Sequence, residues 1–373
     1  MSEKIPKGWK WLKVEDFAEV VSGGTPSTDK PEFWNGDIAW ITPKDLSDFK
    51  FRYIRRGERN ISRKGLESSN AKLLPKGTVL LSSRAPVGYL AIAKNELSTN
   101  QGFQSLVPKE NVITEYLYYL LKDNIEYLKS QASGTTFGEL SKSTLKKLLF
   151  LLPPLPEQKA IAEVLSSIDD KIDLLHRQNK TLEEMAMTLF RKWFIEDVKE
   201  DWEEVKLGEY FDLLGGFPFK SKDYSDFGKY KIITIKNVQD GYLDISNSQT
   251  IENLPQGIKP YQILEIGDIL ISLTGNVGRI CIVDTNNFLL NQRVAKIVPK
   301  NSEWKPFAYF YFKRAEITQI LTNLAKGSAQ LNLSPIETLK LTDTFPSSER
   351  IEKFNKIVQP IFEKRDLSNF ETM

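Results

Sequence analysis

The chain has 373 residues, enough for two or three domains rather than one. Hydrophobic residues at 40% and charged residues at 27% suit a globular protein and exclude wholesale disorder; one cysteine (Cys281) and one histidine (His176) exclude a disulfide framework and argue against a protein-only zinc site. The 51 basic against 49 acidic side chains leave +2, so no global field announces nucleic acid, and no signal-peptide core or membrane-length apolar run marks the chain, which reads as cytoplasmic and free of membranes.

In chain order, charge is the first distinctive feature. Between Trp40 and Glu110 stand 13 basic and six acidic side chains, with seven of the basic ones between Lys50 and Lys64. A local excess in a neutral chain suits a protein that touches phosphate with one face, although a solvated loop has the same composition. Thr78–Ser82 is predicted as a strand, followed by a turn at Gly88 and a second strand, Tyr89–Ala93. Glu115–Leu128, with apolar residues three and four apart, is predicted to be helical. Leu148–Leu152, stopped by Pro153 and Pro154, reads as a buried strand.

From Glu157 to Lys206 there is neither glycine nor proline, and Pro156 stands where the first turn of a helix accepts proline. Ile161, Leu165, Ile168, Ile172, Leu175, Asn179, Leu182, Ala186, Leu189 and Trp193 keep an unbroken 4-3 spacing, the period of a coiled-coil seam. A helix from Pro156 to about Ile195 would be roughly 60 Å long at ~1.5 Å per residue. It cannot bury that seam alone. After the acidic stretch Glu196–Glu204 come a predicted strand, Asp268–Ser272, a turn at Gly278, a strand, Arg279–Val283, and a helix, Pro306–Leu321. A shorter apolar stripe, Ile351, Phe354, Val358 and Ile361, follows Pro346.

The chain is written twice. Trp9-Lys-Trp-Leu-Lys-Val14 recurs as Trp202-Glu-Glu-Val-Lys-Leu207, and Gly23-Gly24-Thr-Pro26 as Gly215-Gly216-Phe-Pro218. Gly77-Thr-Val-Leu-Leu-Ser82 recurs as Gly267-Asp-Ile-Leu-Ile-Ser272, Asn100-Gln101 as Asn291-Gln292, and Ser133-Gly134-Thr-Thr136 as Lys326-Gly327-Ser-Ala329. The shifts run only from 190 to 193, so the matches are colinear. Pro346-Ser-Ser-Glu349 likewise echoes Pro154-Leu-Pro-Glu157. The first long helix carries the chain from copy one to copy two, and the second must run back, which predicts an antiparallel pair. The expected fold class is therefore mixed α/β (α+β): two similar globular domains in pseudo-two-fold arrangement, separated by long helices forming an antiparallel coiled coil.

Catalytic signatures are missing. The sequence has no GxxxxGK[ST] or GxGxxG phosphate loop, and Leu152-Pro-Pro-Leu155 lacks the polar head and ring of an amino-methyltransferase tetrad. Cys281 sits among Ile280, Ile282 and Val283 and reads as a buried thiol, and His176 as a surface residue of the long helix. Asp201…Glu204-Val-Lys206 has the order of a nuclease carboxylate–lysine pattern, but its counterpart Lys10–Lys13 carries no acid. The alternatives to a non-catalytic binding protein are a self-contained DNA nuclease or methyltransferase with an unrecognised site, and a spacer that never touches DNA.

The duplication, the Gly-Gly-Thr-Pro loop followed by Trp34-Asn-Gly-Asp-Ile-Ala-Trp40, the Ser-Gly-Thr-Thr-Phe137 segment, and Leu152-Pro-Pro-Leu-Pro-Glu-Gln158 opening a long helix resemble the specificity subunit of type I restriction–modification enzymes. The resemblance implies target-recognition domains at 1–152 and 198–345, each reading half of a bipartite target in double-stranded DNA. It implies helices at 153–197 and 346–373 that set the spacing and dock two methyltransferase subunits, with motor-nuclease subunits joining the complex. S-adenosylmethionine would be held by the methyltransferase partner, and this chain would bind no cofactor or metal. The distal helical stretch is shorter, about 25 residues against about 40.

Base reading in the major groove needs paired donors and acceptors, Arg for guanine and Asn or Gln for adenine. The candidates in copy one are Lys44, Arg84, Asn100, Gln101 and Thr135, with Arg55, Arg56 and Arg59 on phosphate. In copy two they are Lys236, Asn237, Asn276, Arg279, Asn291, Gln292 and Arg293, with Lys220 and Lys222 on phosphate. The Asn-Gln pair recurs in both copies, which favours a loop-orienting role over base choice.

Overall fold

Leucine and serine in Val79–Ser83 make a strand buried on both faces, and the first copy is built around it. The computed structural model describes residues 5–370 apart from 48, 50, 134–137, 247 and 327–331. In it a five-stranded sheet runs Ala18–Ser22, Gln104–Pro108, Val79–Ser83, Val87–Ala93, Tyr53–Ile54. A three-stranded sheet, Arg59–Ile61, Trp34–Ile41 and Ser98–Thr99, stands beside it, and an antiparallel ribbon pairs Lys10–Lys13 with Leu149–Leu152.

The second copy repeats the plan. Phe211–Gly215, Val294–Pro299, Ile269–Ser272 and Ile280–Ile282 form its main sheet. Gln249–Ile251, Tyr230–Ile233, Phe288–Leu290 and Ile263–Leu264 form the smaller one, and Glu203–Lys206 pairs with Thr342–Phe345. The ribbons agree in register at a shift of 193: Lys10 faces Leu152, and Glu203 faces Phe345. Cys281 is buried in a strand, as its neighbours imply, and His176 is exposed on the long helix. Among the described residues no helix is long and apolar enough to cross a membrane.

Three predicted elements come out differently. The helix over Glu115–Leu128 is two helices, Thr114–Asp123 and Ile125–Ser130, because Asn124 leaves helical geometry and its amide donates to the Leu120 carbonyl at 2.8 Å. Pro306–Leu321 is likewise split into Lys305–Lys313 and Ala315–Lys326 where Arg314 turns extended. Leu149–Leu152 is a strand but not a wholly buried one: Phe150 and Leu152 face the core, and Leu149 is exposed.

The central helix spans Leu155–Arg191 and continues as a wider π-turn over Lys192–Glu196. Compact packing divides the chain at Asp173/Leu174, inside this helix, so each copy keeps the helical residues that pack on it. The first copy holds its end through Gln158, which is 1% exposed. The Gln158 side-chain oxygen accepts from the Ile113 amide at 3.0 Å, and its nitrogen donates to the carbonyls of Pro153 and Asn111 at 3.0 and 3.2 Å. Arg52, counted in the basic run, is buried and spent here: it donates to Tyr119 at 2.8 Å and to Asp170 at 2.7 Å. Burial opposes its charge, but these partners hold its pKa above the usual arginine value.

At the other end the helix inserts Ala186, Phe190 and Phe194 into the aromatic core of the second copy, against Phe307, Phe310 and Phe354. The 4-3 seam places Leu189 and Trp193 there instead, one position away, and both are only half-buried. Of the seam positions, Leu175 and Ala186 are buried, Ile161, Leu165, Ile172 and Leu182 are half-buried, and Ile168 is exposed.

The distal helix, Ser348–Phe370, buries Ile351, Phe354 and Val358 completely. Arg350 donates to the Trp193 carbonyl at 2.9 Å, whereas Phe362 packs on Tyr309, whose hydroxyl donates to Glu183. The distal helix thus runs back along the end of the central one, antiparallel as predicted.

Gln158 supplies a test. Gln158→Leu leaves one amide and two carbonyls buried without partners, each worth about 1–3 kcal/mol, and is expected to lower the melting temperature of the first copy by at least about 6 °C. Glu157→Ala, which removes only an exposed hydrogen bond from Trp9, should shift it by no more than about 2 °C, as read by calorimetry.

Candidate nucleic-acid interface

In each copy the smaller sheet ends in a turn held by one polar side chain. In copy one the Thr42 amide and hydroxyl both donate to Asp45 Oδ2 at 2.7 Å. Asp45 Oδ1 accepts from the Glu58 amide at 2.7 Å, and Gly57 lies so close that a Cβ there would fall 2.6 Å from the carboxyl carbon. Asp45 therefore fastens the turn that presents Lys44 to the loop that carries Arg55 and Arg56, and all three cations are exposed. Lys44 pairs with the exposed Glu58 at 3.0 Å, a contact that solvent screening keeps weak and that a phosphate can displace.

Next to it, two indoles pin the Gly-Gly-Thr-Pro loop. Trp40 donates to the Gly24 carbonyl and Trp34 to the Ser27 carbonyl, each at 3.0 Å. The Arg59 guanidinium lies over the Trp34 ring, 3.6 Å from its centroid, so its charge is held in place while the side chain stays exposed. The Asn100 oxygen accepts from the Gly102 amide at 2.9 Å, and the Gln101 oxygen accepts from the Thr25 hydroxyl. Gly102 packs on Pro43, and its carbonyl accepts from Ser83 at 2.7 Å, which places the Arg84 loop alongside. Arg84 itself pairs with Glu139 at 3.6 Å. Thr135 lies outside the described residues.

Copy two repeats the geometry with different side chains. The Thr234 amide and hydroxyl both donate to Asn237 Oδ1 at 2.8 Å, so Asn237 occupies the place of Asp45 and Lys236 that of Lys44. Asn237 is 3% exposed, and its nitrogen donates to the Asp244 carbonyl and the Ser248 hydroxyl. This corrects its assignment as a DNA contact: both ends of its amide are consumed in the turn. Asn291 repeats the local bond of Asn100, accepting from the Arg293 amide at 3.2 Å, and leaves Gln292 and Arg293 exposed. Both asparagine loops are tied to the smaller sheet alike, through Asn100 to the Ile41 carbonyl at 2.9 Å and Asn291 to the Ile233 carbonyl at 3.1 Å.

Arg279 is half-buried and donates to Gln239 at 2.6 Å, and the Asn276 oxygen faces its guanidinium at 3.1–3.2 Å. Lys220 and Lys222 are exposed on the turn around Ser221–Asp223.

Each copy thus collects an exposed lysine turn and an asparagine loop at one end of its smaller sheet, joined in copy one by Arg55, Arg56 and Arg59. The residues that sequence reasoning missed are the organisers: Asp45, Trp34 and Trp40. Only the Thr-x-x-Asp spacing, a capping pattern, pointed to the first. No group of three or more His, Cys, Asp or Glu that could hold a metal occurs among the described residues. The arrangement offers cations and amides for phosphate and base edges.

Comparison with known proteins gives a consistent result. The family model described as the type I restriction modification DNA specificity domain matches the chain twice, at residues 6–184 and 199–368. The MjaIX specificity subunit of a type I restriction enzyme from Methanocaldococcus jannaschii is 37% identical over 97% of this chain and 88% of its own length. The MjaVIII specificity subunit of the same organism is 27% identical over 85% of this chain and 78% of its own length. Among solved structures, the specificity subunit of a type I system from M. genitalium matches the fold with a TM-score of 0.58 at 20% identity, over all of this chain and 93% of that one.

The packing of the glycine loops corrects the repeat by one residue and yields a paired test. A Cβ on Gly23 would fall 1.9 Å from the Asn100 carbonyl oxygen, and one on Gly216 would fall 2.2 Å from that of Asn291, so Gly216, not Gly215, is the counterpart of Gly23. Nothing lies within 4 Å of a Cβ on Gly215. Gly216→Ala is therefore expected to destabilise the second copy by about 1–3 kcal/mol through overpacking, and Gly215→Ala by less than about 0.5 kcal/mol, in urea titrations.

Proposed function

The chain belongs to the type I restriction–modification specificity family, and from that premise we propose how it recognises DNA. It is the non-catalytic DNA specificity subunit of such a complex. Each copy reads one half of a bipartite target through the loop cluster at the end of its smaller sheet. The observation that carries this reading is the repeated turn, Thr42–Asp45 and Thr234–Asn237, which presents Lys44 and Lys236 from the same pair of threonine-to-side-chain hydrogen bonds beside non-identical neighbours. A shared scaffold positions phosphate contacts alike, and the side chains that differ, such as Arg84 against Thr274, choose the bases.

In copy one the roles divide by exposure. Lys44, Arg55, Arg56 and Arg59 sit on phosphate, with Arg59 held by Trp34. Arg84 and Gln101 are left for base edges, whereas Asn100 shapes the loop. In copy two Lys220, Lys222 and Lys236 hold phosphate, and Gln292, Arg293 and the Asn276–Arg279 pair face the bases. The partners are double-stranded DNA, two methyltransferase subunits that dock on the helices, and motor-nuclease subunits. S-adenosylmethionine belongs to the methyltransferase partner, which supplies the methyl group there while this chain selects the site.

The spacing of the half-sites is assigned to the length of the central helix, Leu155–Arg191. Seven residues inserted after Asn179 keep the helical phase and add about 10 Å at ~1.5 Å per residue, or about three base pairs of ~3.4 Å. Sequencing of the methylated sites made on co-expression with the methyltransferase should show both half-sites unchanged and the gap about three base pairs longer. An unchanged gap in an active insert would assign the spacing to the partner subunits.

A further inference from the structure

In each copy one residue at the end of an inner strand of the main sheet holds two loops at once. The Ser83 amide donates to the Gly102 carbonyl at 2.7 Å, and the Ser83 carbonyl accepts from the Leu140 amide at 2.9 Å. The Leu273 amide donates to the Arg293 carbonyl at 2.9 Å, and the Leu273 carbonyl accepts from the Leu333 amide at 2.8 Å. The next residue, Arg84 or Thr274, enters a turn through a left-handed position, Ala85 at φ +51° or Gly275 at φ +70°. A serine hydroxyl closes that turn: Ser82 donates to the Pro86 carbonyl, and Ser272 to the Asn276 carbonyl.

These bonds, rather than a count of residues, set the correspondence between the copies. They put Glu139 beside Arg84 and Asn332 beside Thr274. Glu139 pairs with Arg84 at 3.6 Å, and Asn332 forms a β-bridge with Thr274. The two positions change together: a cation with a carboxylate in copy one, a hydroxyl with an amide in copy two. The Thr274 hydroxyl is buried without a hydrogen-bond partner, whereas Asn332 is exposed, so the choice that Arg84 makes in copy one passes to Asn332.

The Arg84 and Glu139 side chains are 38% and 44% exposed. A carboxylate on a loop that faces DNA repels phosphate, and here it cancels the charge with which Arg84 would hold the backbone. Such a pair adds little affinity and suits base edges. The guanidinium matches guanine O6 and N7, the carboxylate accepts from cytosine N4, and an asparagine amide matches adenine N6 and N7. We infer that Glu139 and Asn332 are specificity-determining residues. Glu139 acts with Arg84 on a G·C pair of one half-site, and Asn332 acts on an A·T pair of the other. The inference rests on the half-site reading proposed above and deepens it.

The test is co-expression of variants with the methyltransferase, followed by sequencing of the methylated sites. Glu139→Gln should lower the preference for G·C at one position of one half-site at least about fivefold and leave the other half-site unchanged. It should also steepen the salt dependence of the complex's binding to unrelated duplex by about one unit, because Arg84 then stands as an unpaired cation. Asn332→Asp should move one position of the other half-site from A·T towards cytosine on the strand read. Arg84→Glu combined with Glu139→Arg keeps the ion pair, so a purely structural role would restore the original site, whereas the inference requires an altered one. Calorimetry of each purified variant checks that it folds. Unchanged methylated sites in Glu139→Gln and Asn332→Asp, or recovery of the original site by the charge exchange, overturns the inference and leaves the half-site reading standing. Absence of any bipartite site with the unaltered chain would overturn both.

Discussion

A helix of 37 residues with apolar side chains along most of its length has to be fixed by something other than itself, and here each end is fixed by groups that lose heavily if they let go. At the first copy the anchor is polar: Gln158 is enclosed by a backbone amide and two carbonyls, and Arg52 reaches the helix at Asp170. Removing either partner of such a buried contact leaves a desolvated group, the costly side of hydrogen-bond energetics. At the second copy the anchor is aromatic, with Phe190 and Phe194 each worth about 1.5–3 kcal/mol of burial. Each attachment sets which face of the helix its own copy receives. They also explain why the compact units divide within the helix, at Asp173, and not at its ends.

The loop clusters depend on a second constraint, backbone contact too close for a side chain. Gly23 against Asn100 and Gly216 against Asn291 bring the glycine loop onto the loop that follows the short strand of the smaller sheet. With that contact made, the Asn side chain is spent on its own loop, and its neighbours Gln101, Gln292 and Arg293 are the ones turned outward. The same logic governs the lysine turns. Asp45 and Asn237 have different charge but the same two hydrogen bonds from a threonine, so the turn is preserved while the electrostatics around it change. A recognition domain used twice for different sequences needs this combination of constant backbone and variable side chains.

Much of this was legible from residues alone, because repeats and periodicity survive in sequence. The duplication, the strands around Val79–Ser83 and Ile269–Ser272, the long helix and the antiparallel return could all be read. What could not be read depended on tertiary neighbours. Arg52 looks like any other cation of the basic run until Tyr119 and Asp170 close on it. Asn237 looks like a base-reading amide until Asp244 and Ser248 consume its nitrogen. The seam positions Leu189 and Trp193 follow coiled-coil spacing, but the aromatic core of the second copy selects Phe190 and Phe194 instead. Breaks at Asn124 and Arg314 are invisible to apolar periodicity, which continues across them.

The central claim is that two copies of one scaffold read two half-sites independently. Replacing residues 15–150 with the corresponding region of a relative, followed by sequencing of the methylated sites made with the cognate methyltransferase, tests it most directly. The account predicts that one half-site changes while the other half-site and the gap stay as they were. A simultaneous change of both halves, or of neither in a folded and active complex, would contradict it.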